Sequence, residues 1–217
     1  EGDGKNTVDA FRKLLSSQAN DIAAFICEPL VLGAGGMMMY EASVLKALYN
    51  LCSDYGVFFI ADEVMTGWGR TGTRFACEQA AIVPDILCLS KGLTGGYLPL
   101  AVTLCSGDIY RAFYSKDRAK TFFHSSSYTG NAIACASALA ALELWDEEPV
   151  MERIQNIERW HGQHLVALAA RADVGNIRQC GTIAAFDVVD PDNDGYLSNI
   201  SPRLQEYYLN HGVLLRP

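Results

Sequence analysis

Two apolar runs in this chain each end on one charged residue: VFFIAD, closing on Asp62, and DILCLSKG, delivering Lys91. Each run has strand length, is unbroken, and is rich in β-branched and large apolar side chains, the pattern of a parallel strand buried on both faces. Open α/β sheets bind ligands in the crevice beyond the carboxyl ends of such strands. A carboxylate and a lysine at two of those ends are costly to desolvate singly, so the pair points to use on a bound group.

The surrounding sequence alternates helix and strand. VDAFRKLLSSQ is amphipathic, IAAFICEPLV reads as a strand, and the Gly-rich segment GAGGMMMY follows it. EASVLKALYNLCSDYG has helical spacing and a natural stop at Gly56. After Asp62 come the loop TGWGRTG, a short helix around FACEQAA, a strand from Ala101 to Cys105 and a helix from about Asp108. This order implies right-handed crossovers and an α/β fold with a mostly parallel central sheet flanked by helices. A long helical region from Asn131 to about Arg171 leads onward to a strand in IRQCGTIAAFDVV, a helix in SPRLQEYYLNHG and the start of another strand in VLLRP. Residues 1–150 are therefore assigned to a large domain, and 151–217 to a connecting helix and the start of a smaller αβ domain, cut short. Glu1 in place of Met, and an end inside an apolar strand, read as an internal piece of a longer protein.

Charge and cysteine usage narrow the function classes. Lys and Arg number 17 against 25 Asp and Glu, a net charge of −8, and the basic residues form no stripe that could track a phosphate backbone. Nucleic acid is excluded as a partner on that ground. The seven cysteines form no C-x-x-C and mostly sit in apolar stretches, as small core residues do in a reducing compartment, so a cytoplasmic location is expected. The longest apolar stretch, Ala132 to Trp145, is shorter than a bilayer span, and neither a signal peptide nor a membrane partner is indicated.

Lys91 is followed by Gly92, Thr94, Gly95 and Gly96, so it leaves a strand end beside backbone that can approach a ligand closely. A lysine so placed can form a Schiff base with an aldehyde; the plain alternative is a surface lysine at a turn. Apolar residues followed by Asp-Glu at 62–63 also describe the Mg²⁺-holding strand of a P-loop NTPase, but that needs G-x-x-x-x-G-K-[ST], and GDGKN at Gly2 lacks the spacing and the hydroxyl. A strand-end aspartate can instead hold a protonated pyridine nitrogen. Asp62 and Lys91 together suit pyridoxal 5'-phosphate, one for the ring nitrogen and one for the aldehyde carbon. Ser125, Ser126, Ser127, Thr129 and Gly130 precede a helix start near Asn131, where they serve either a phosphate or an ordinary cap. Asp190, Asp192, Asp194 and Gly195 mimic half of a calcium loop, but Ser201 stands where a bidentate Glu is required, so a solvated turn and no metal site are expected. Met37, Met38 and Met39 read as adaptable packing.

Four motifs, in order, carry a resemblance: CEP at Cys27–Pro29, IADEV-x-TGWGRTG at Ile60–Gly72, PDI-x-x-x-SKGLTGG at Pro84–Gly96 and HSSSYTGN at His124–Asn131. Together they resemble the class III (ω-amino acid) aminotransferases of the fold-type I pyridoxal phosphate enzymes. GAGGMMMY, the segment from FACEQA to SKGLTGG, and GVLLRP look most like the branch of that class that works in biotin synthesis. The resemblance implies that Lys91 bonds to the cofactor and shuttles a proton, that Asp62 pairs with the pyridine nitrogen, and that Val64 packs against the ring. It implies that Ser127, at a position commonly threonine, reaches the phosphate of a neighbouring subunit's cofactor, and that Arg216 clamps a substrate carboxylate. Ser125, Arg70 and Glu28 fall on the substrate side. The implied partners are a small-molecule amino donor, a keto-acid acceptor and a second copy of the chain in a homodimer with shared sites. Another ω-amino acid or diamine aminotransferase, or a catalytically silent scaffold on the same fold, stays open. The Gly-Ser phosphate loop and the stacking aromatic usual in the family have no counterpart in this segment.

Overall fold

The computed structural model describes residues 4–124, 126–189 and 200–214. Its main sheet has four strands, β1 (Ala24–Cys27), β4 (Phe58–Asp62), β5 (Ile86–Leu89) and β6 (Val102–Cys105), in that spatial order. The first three run parallel, and β6 is antiparallel to β5. Register decides what shares an edge. Cys27 lies opposite Ala61 and Asp62 opposite Cys88, so the chain leaves three neighbouring strands at one end of the sheet, just before Glu28, just after Asp62 and just before Lys91.

Helices α1 (Lys5–Gln18) and α2 (Ala42–Tyr55) pack on one another, and α2 packs on β4. Leu15, Leu45, Leu48, Leu51, Phe59 and Ala61 are buried there. Phe25 links Phe11 and Phe59 at ring separations of 4.6 and 5.8 Å, and Tyr49 meets Phe59 edge-on at 5.6 Å. Full burial of a side chain such as Phe59 or Leu45 contributes about 2 kcal/mol. Gly56, at φ 70°, ends α2 in the left-handed conformation and returns its N–H to the last turn. The expectation that the strands are buried on both faces holds for one face here: Ile26 and Phe58 on β1 and β4 are 60% and 47% exposed.

Three other expectations change. The long helical region is two helices, α4 (Ala132–Glu147) and α5 (Val150–Ala169), because Pro149 holds Glu148 extended at φ −114°, ψ 153°. IRQCGTIAAFDVV is a hairpin, β7 (Val174–Cys180) and β8 (Ile183–Val188), rather than one strand. Its two-residue turn has Gly181 at φ 55° and Thr182 outside the positive-φ residues, the sign pattern of a type II′ turn. Val213 and Leu214 belong to no strand, and the remainder of VLLRP, with Arg216, lies outside the described residues.

The smaller elements follow the sequence more closely. FACEQAA forms a 3₁₀ turn at Ala76–Ala80, Val31–Leu32 (β2) pairs with Met38–Met39 (β3), and α3 (Gly107–Phe113) and α6 (Ile200–Asn210) complete the elements. No described helix is long and apolar enough to cross a membrane.

Candidate active site

At the carboxyl end of β4 the Asp62 carboxylate is half-buried, and its Oδ1 accepts the Val64 N–H at 3.1 Å. Oδ2 has no protein donor among the described residues, so half of the carboxylate is held and half is free. One strand over, Ser90 donates its hydroxyl to Leu100 O at 2.7 Å, anchoring the chain as it leaves β5. Lys91 follows in the left-handed region, at φ 45°, and opens a 3₁₀ turn to Thr94. Its side chain is exposed, and among the described residues it makes no hydrogen bond or ion pair.

Gly92 has a use the sequence reading did not anticipate. A Cβ there would lie 2.7 Å from Trp68 Cβ, so the close approach it permits is to the TGWGRTG loop as well as to anything bound beside Lys91. Trp68 sits in the left-handed region too, at φ 58°, and the Arg74 guanidinium lies over both Trp68 and Trp145, at 5.7 and 5.2 Å from the ring centroids. This aromatic and cationic packing buttresses the backbone beside Lys91.

A cleft of about 440 Å³ opens here, lined among others by Met37, Met65, Arg70, Lys91, His161 and Thr182. Of the residues singled out in the sequence, it brings Lys91, Gly92 and Arg70 together with Met37; Asp62, Val64, Glu28 and Ser127 are not among its lining. Glu28 braces the Gly-Met segment: its Oε2 accepts Gly33 N–H at 2.9 Å, and its carbonyl accepts the Tyr40 hydroxyl at 2.7 Å. Ser127 lies in an exposed turn, where Ser126 N–H donates to Thr129 Oγ1 at 3.0 Å and Asn131 Oδ1 caps α4 at Ala134 N–H, 3.0 Å. Those contacts are turn and cap chemistry. Ser125 and Arg216 lie outside the described residues, as do Asp190, Asp192, Asp194 and Gly195.

Two residues missed in the sequence help to shape the site. Arg178, on β7, donates from Nε to Met37 O at 2.9 Å and from Nη2 to Gly36 O at 2.7 Å, while Nη1 lies 3.0 Å from an Asp187 oxygen. It ties the hairpin to the segment that supplies Met37, and a lone arginine in a strand gives no sequence signal of that. Glu63 is fully buried beside Asp62 and was read only as part of a motif. The field near the strand ends is also visible in Cys27. Burial pushes its thiol up to about 11, the Tyr40 hydroxyl opposes the shift, and the Asp62 and Glu28 carboxylates add to it.

The family profile described as Aminotransferase class-III matches residues 2–217. This chain belongs to the class III aminotransferases. Its sequence is 48% identical, over 200 residues, to the adenosylmethionine-8-amino-7-oxononanoate aminotransferase of Synechococcus elongatus, an alignment covering 92% of this class III chain and 46% of that protein. In structure it is similar to the protein of that name from Methanocaldococcus jannaschii, with a TM-score of 0.89 at 35% identity, covering 97% of this chain and 50% of the other. The ω-transaminase from Pseudomonas jessenii in complex with PMP gives a TM-score of 0.88 at 30% identity, covering 98% of this chain and 48% of the other. The class III chain thus spans about half the length of the curated relatives it matches.

Proposed function

We propose that this chain is the part of a pyridoxal phosphate aminotransferase that carries its reactive lysine. The observation that supports this most is that the Lys91 amine and Asp62 Oδ2, at the ends of adjacent parallel strands, both lack a partner among the described residues. That donor and acceptor set fits the cofactor: Nζ for its aldehyde carbon, Oδ2 for its cationic ring N–H. When bound, pyridoxal phosphate supplies an electron-accepting ring that makes a neighbouring carbon acidic. The chain's own residues do the rest. The Val64 N–H fixes one oxygen of Asp62 so that the other can hold the ring nitrogen's proton, and Val64 packs against the ring. Lys91 Nζ moves the proton at the substrate carbon. Arg216 clamps a substrate carboxylate as a bidentate donor, and Arg70, Ser125 and Glu28 are further substrate-binding residues. Ser127, exposed in its turn, reaches the cofactor phosphate of a second copy, which makes the enzyme a homodimer with shared sites.

The names of the relatives support a reading of the substrate. The acceptor is 8-amino-7-oxononanoate, converted to 7,8-diaminononanoate in biotin synthesis at the expense of a small amino donor. Residues 1–150 belong to the large domain and 151–217 to the connecting helices and the start of the small one. The described cysteines are all free, which supports a cytoplasmic site of action.

The test is borohydride reduction of the full-length protein purified with pyridoxal phosphate, followed by peptide mass analysis and an assay with 8-amino-7-oxononanoate. A phosphopyridoxyl group on Lys91, absent from Lys91→Ala, together with turnover of that acceptor, is the expected result. No adduct would overturn the cofactor assignment. An adduct with turnover of other ω-amino acids or diamines only would overturn the substrate.

A further inference from the structure

Glu63 is an acidic side chain with no access to solvent. Its Oε1 accepts Cys77 N–H at 2.9 Å, and its Oε2 accepts Ala76 N–H at 2.7 Å and the Thr66 hydroxyl at 3.4 Å. Two backbone donors on separate oxygens are the set an ionised carboxylate satisfies, and among the described residues the Glu63 carboxyl donates no hydrogen bond. Burial holds this carboxyl's affinity for a proton above the ordinary value, and the same N–H groups offset part of that rise.

The backbone of Glu63 is used as fully as its side chain. Its N–H donates to Cys88 O on β5 at 3.0 Å, and its carbonyl accepts Gly67 N–H at 3.1 Å. A side chain at Gly67 would place Cβ 2.9 Å from that carbonyl, so the turn admits glycine only. The side chain therefore closes, end to end, the loop from 63 to 77. That loop includes Val64, whose N–H holds Asp62 Oδ1, Trp68, which packs on Gly92 beside Lys91, and Arg70 in the cleft. A buried carboxylate is costly unless fully hydrogen-bonded, and an apolar side chain would fill the same space at less cost. A need for fixed geometry in the loop accounts for keeping it.

We propose that Glu63 is a positioning residue: its carboxylate clasps Ala76 and Cys77 and thereby holds the Val64 N–H on Asp62 Oδ1, leaving Oδ2 set for the cofactor. The inference rests on the reading of Asp62 given above. It is tested on the full-length holoenzyme with Glu63→Gln, which keeps the shape but turns one acceptor into a donor facing an N–H. Thr66→Val, which removes one hydroxyl donor, is the milder variant, and Glu78→Gln, at an exposed site in the same 3₁₀ turn, is the control. Three quantities are measured: amide hydrogen exchange at Val64, Ala76 and Cys77, the dissociation constant for pyridoxal phosphate, and the pH midpoint of the bound cofactor's visible absorption change.

In Glu63→Gln, exchange at all three amides rises about tenfold or more, cofactor binding weakens by a similar factor and the midpoint moves. Thr66→Val moves the same quantities less, and Glu78→Gln moves none. Faster exchange with unchanged cofactor binding and midpoint would reduce Glu63 to a structural residue and overturn the proposal, and unchanged exchange would overturn the clasp itself. Should Glu63→Gln not fold, Thr66→Val decides by the same criteria. A parent protein that takes up no pyridoxal phosphate would instead overturn the reading of Asp62, and the positioning role with it.

Discussion

Gly181→Ala should do far more damage than an added methyl group suggests. Gly181 begins the β7–β8 turn at φ 55°, and a Cβ there would lie 2.2 Å from Gly72 N, 2.3 Å from Thr71 C and 2.7 Å from Arg70 O. All three are backbone atoms, so no rotamer change relieves the overlap, and the hairpin must lift off the TGWGRTG loop. Lifting it breaks Thr182 N–H to Arg70 O at 2.9 Å and Thr182 Oγ1 to the same oxygen at 3.2 Å. The left-handed backbone costs alanine about 1 kcal/mol. Two hydrogen bonds at roughly 1 kcal/mol each bring the loss to about 3 kcal/mol. Gly56→Ala is the matched comparison: φ is 70° and nothing lies within 4 Å, so only the conformational term of about 1 kcal/mol applies. Urea unfolding of both variants of the full-length protein measures the difference, about 2 kcal/mol by this reasoning. Because Arg70 lines the cleft, Gly181→Ala should also raise the KM for the acceptor while Gly56→Ala leaves it unchanged. Equal destabilisation by the two substitutions would show that the loop yields freely and would refute the argument.

Asp62→Asn should leave borohydride able to fix the cofactor on Lys91 while slowing transamination by about 10²-fold or more; an unchanged single-turnover rate would remove Asp62 from its role. Arg178→Met forfeits its hydrogen bonds to Met37 O and Gly36 O, and thermal unfolding should report a loss of about 2 kcal/mol, with a raised acceptor KM as Met37 loosens. Burial pushes the Cys27 and Cys52 thiols up to about 11 and about 12, from 9.0 in the unfolded chain. The unfolded state loses those protons first, so their contribution is intact below pH 9.0 and is lost as pH rises through 11 to 12, which unfolding midpoints at stepped alkaline pH would show. At pH 8 in the native protein, iodoacetamide should label exposed Cys105 well before Cys52 or Cys77.

The strands that carry Asp62 and Lys91 were legible because unbroken apolar runs of strand length have few other solutions, and the charged residue ending each one stands out. Helix α2 was legible down to its last residue, since Gly56 follows the final apolar position. The β7–β8 turn was not, because one Gly-Thr step between two short β-compatible stretches also fits a single continuous strand. The break at Pro149 was not legible, because helical periodicity continues on both sides of it. In the site, motif order pointed to Lys91, Asp62 and Arg70, whereas Arg178, His161 and Thr182 come from the later part of the chain, and nothing local marks them. Glu63 was hidden by its neighbour: beside an aspartate with an evident use, a second carboxylate reads as more of the same until its burial is known. Gly92 was read only for a ligand's approach, and its second use was hidden because the tryptophan it admits lies over twenty residues earlier in the chain.

The left-handed backbone at Lys91 sets selection for durability against selection for work. Any side chain other than glycine's is disfavoured there by about 1 kcal/mol, so, on the role proposed for Lys91, Lys91→Gly would yield a protein that melts later and has lost its reactive amine. Met37 and Trp68 carry the same cost close by, so the tension is concentrated around the cleft. A library screened for heat resistance alone would therefore drift toward sturdier, inert variants at these positions. Only a screen in which cells must make the product to grow would keep the lysine.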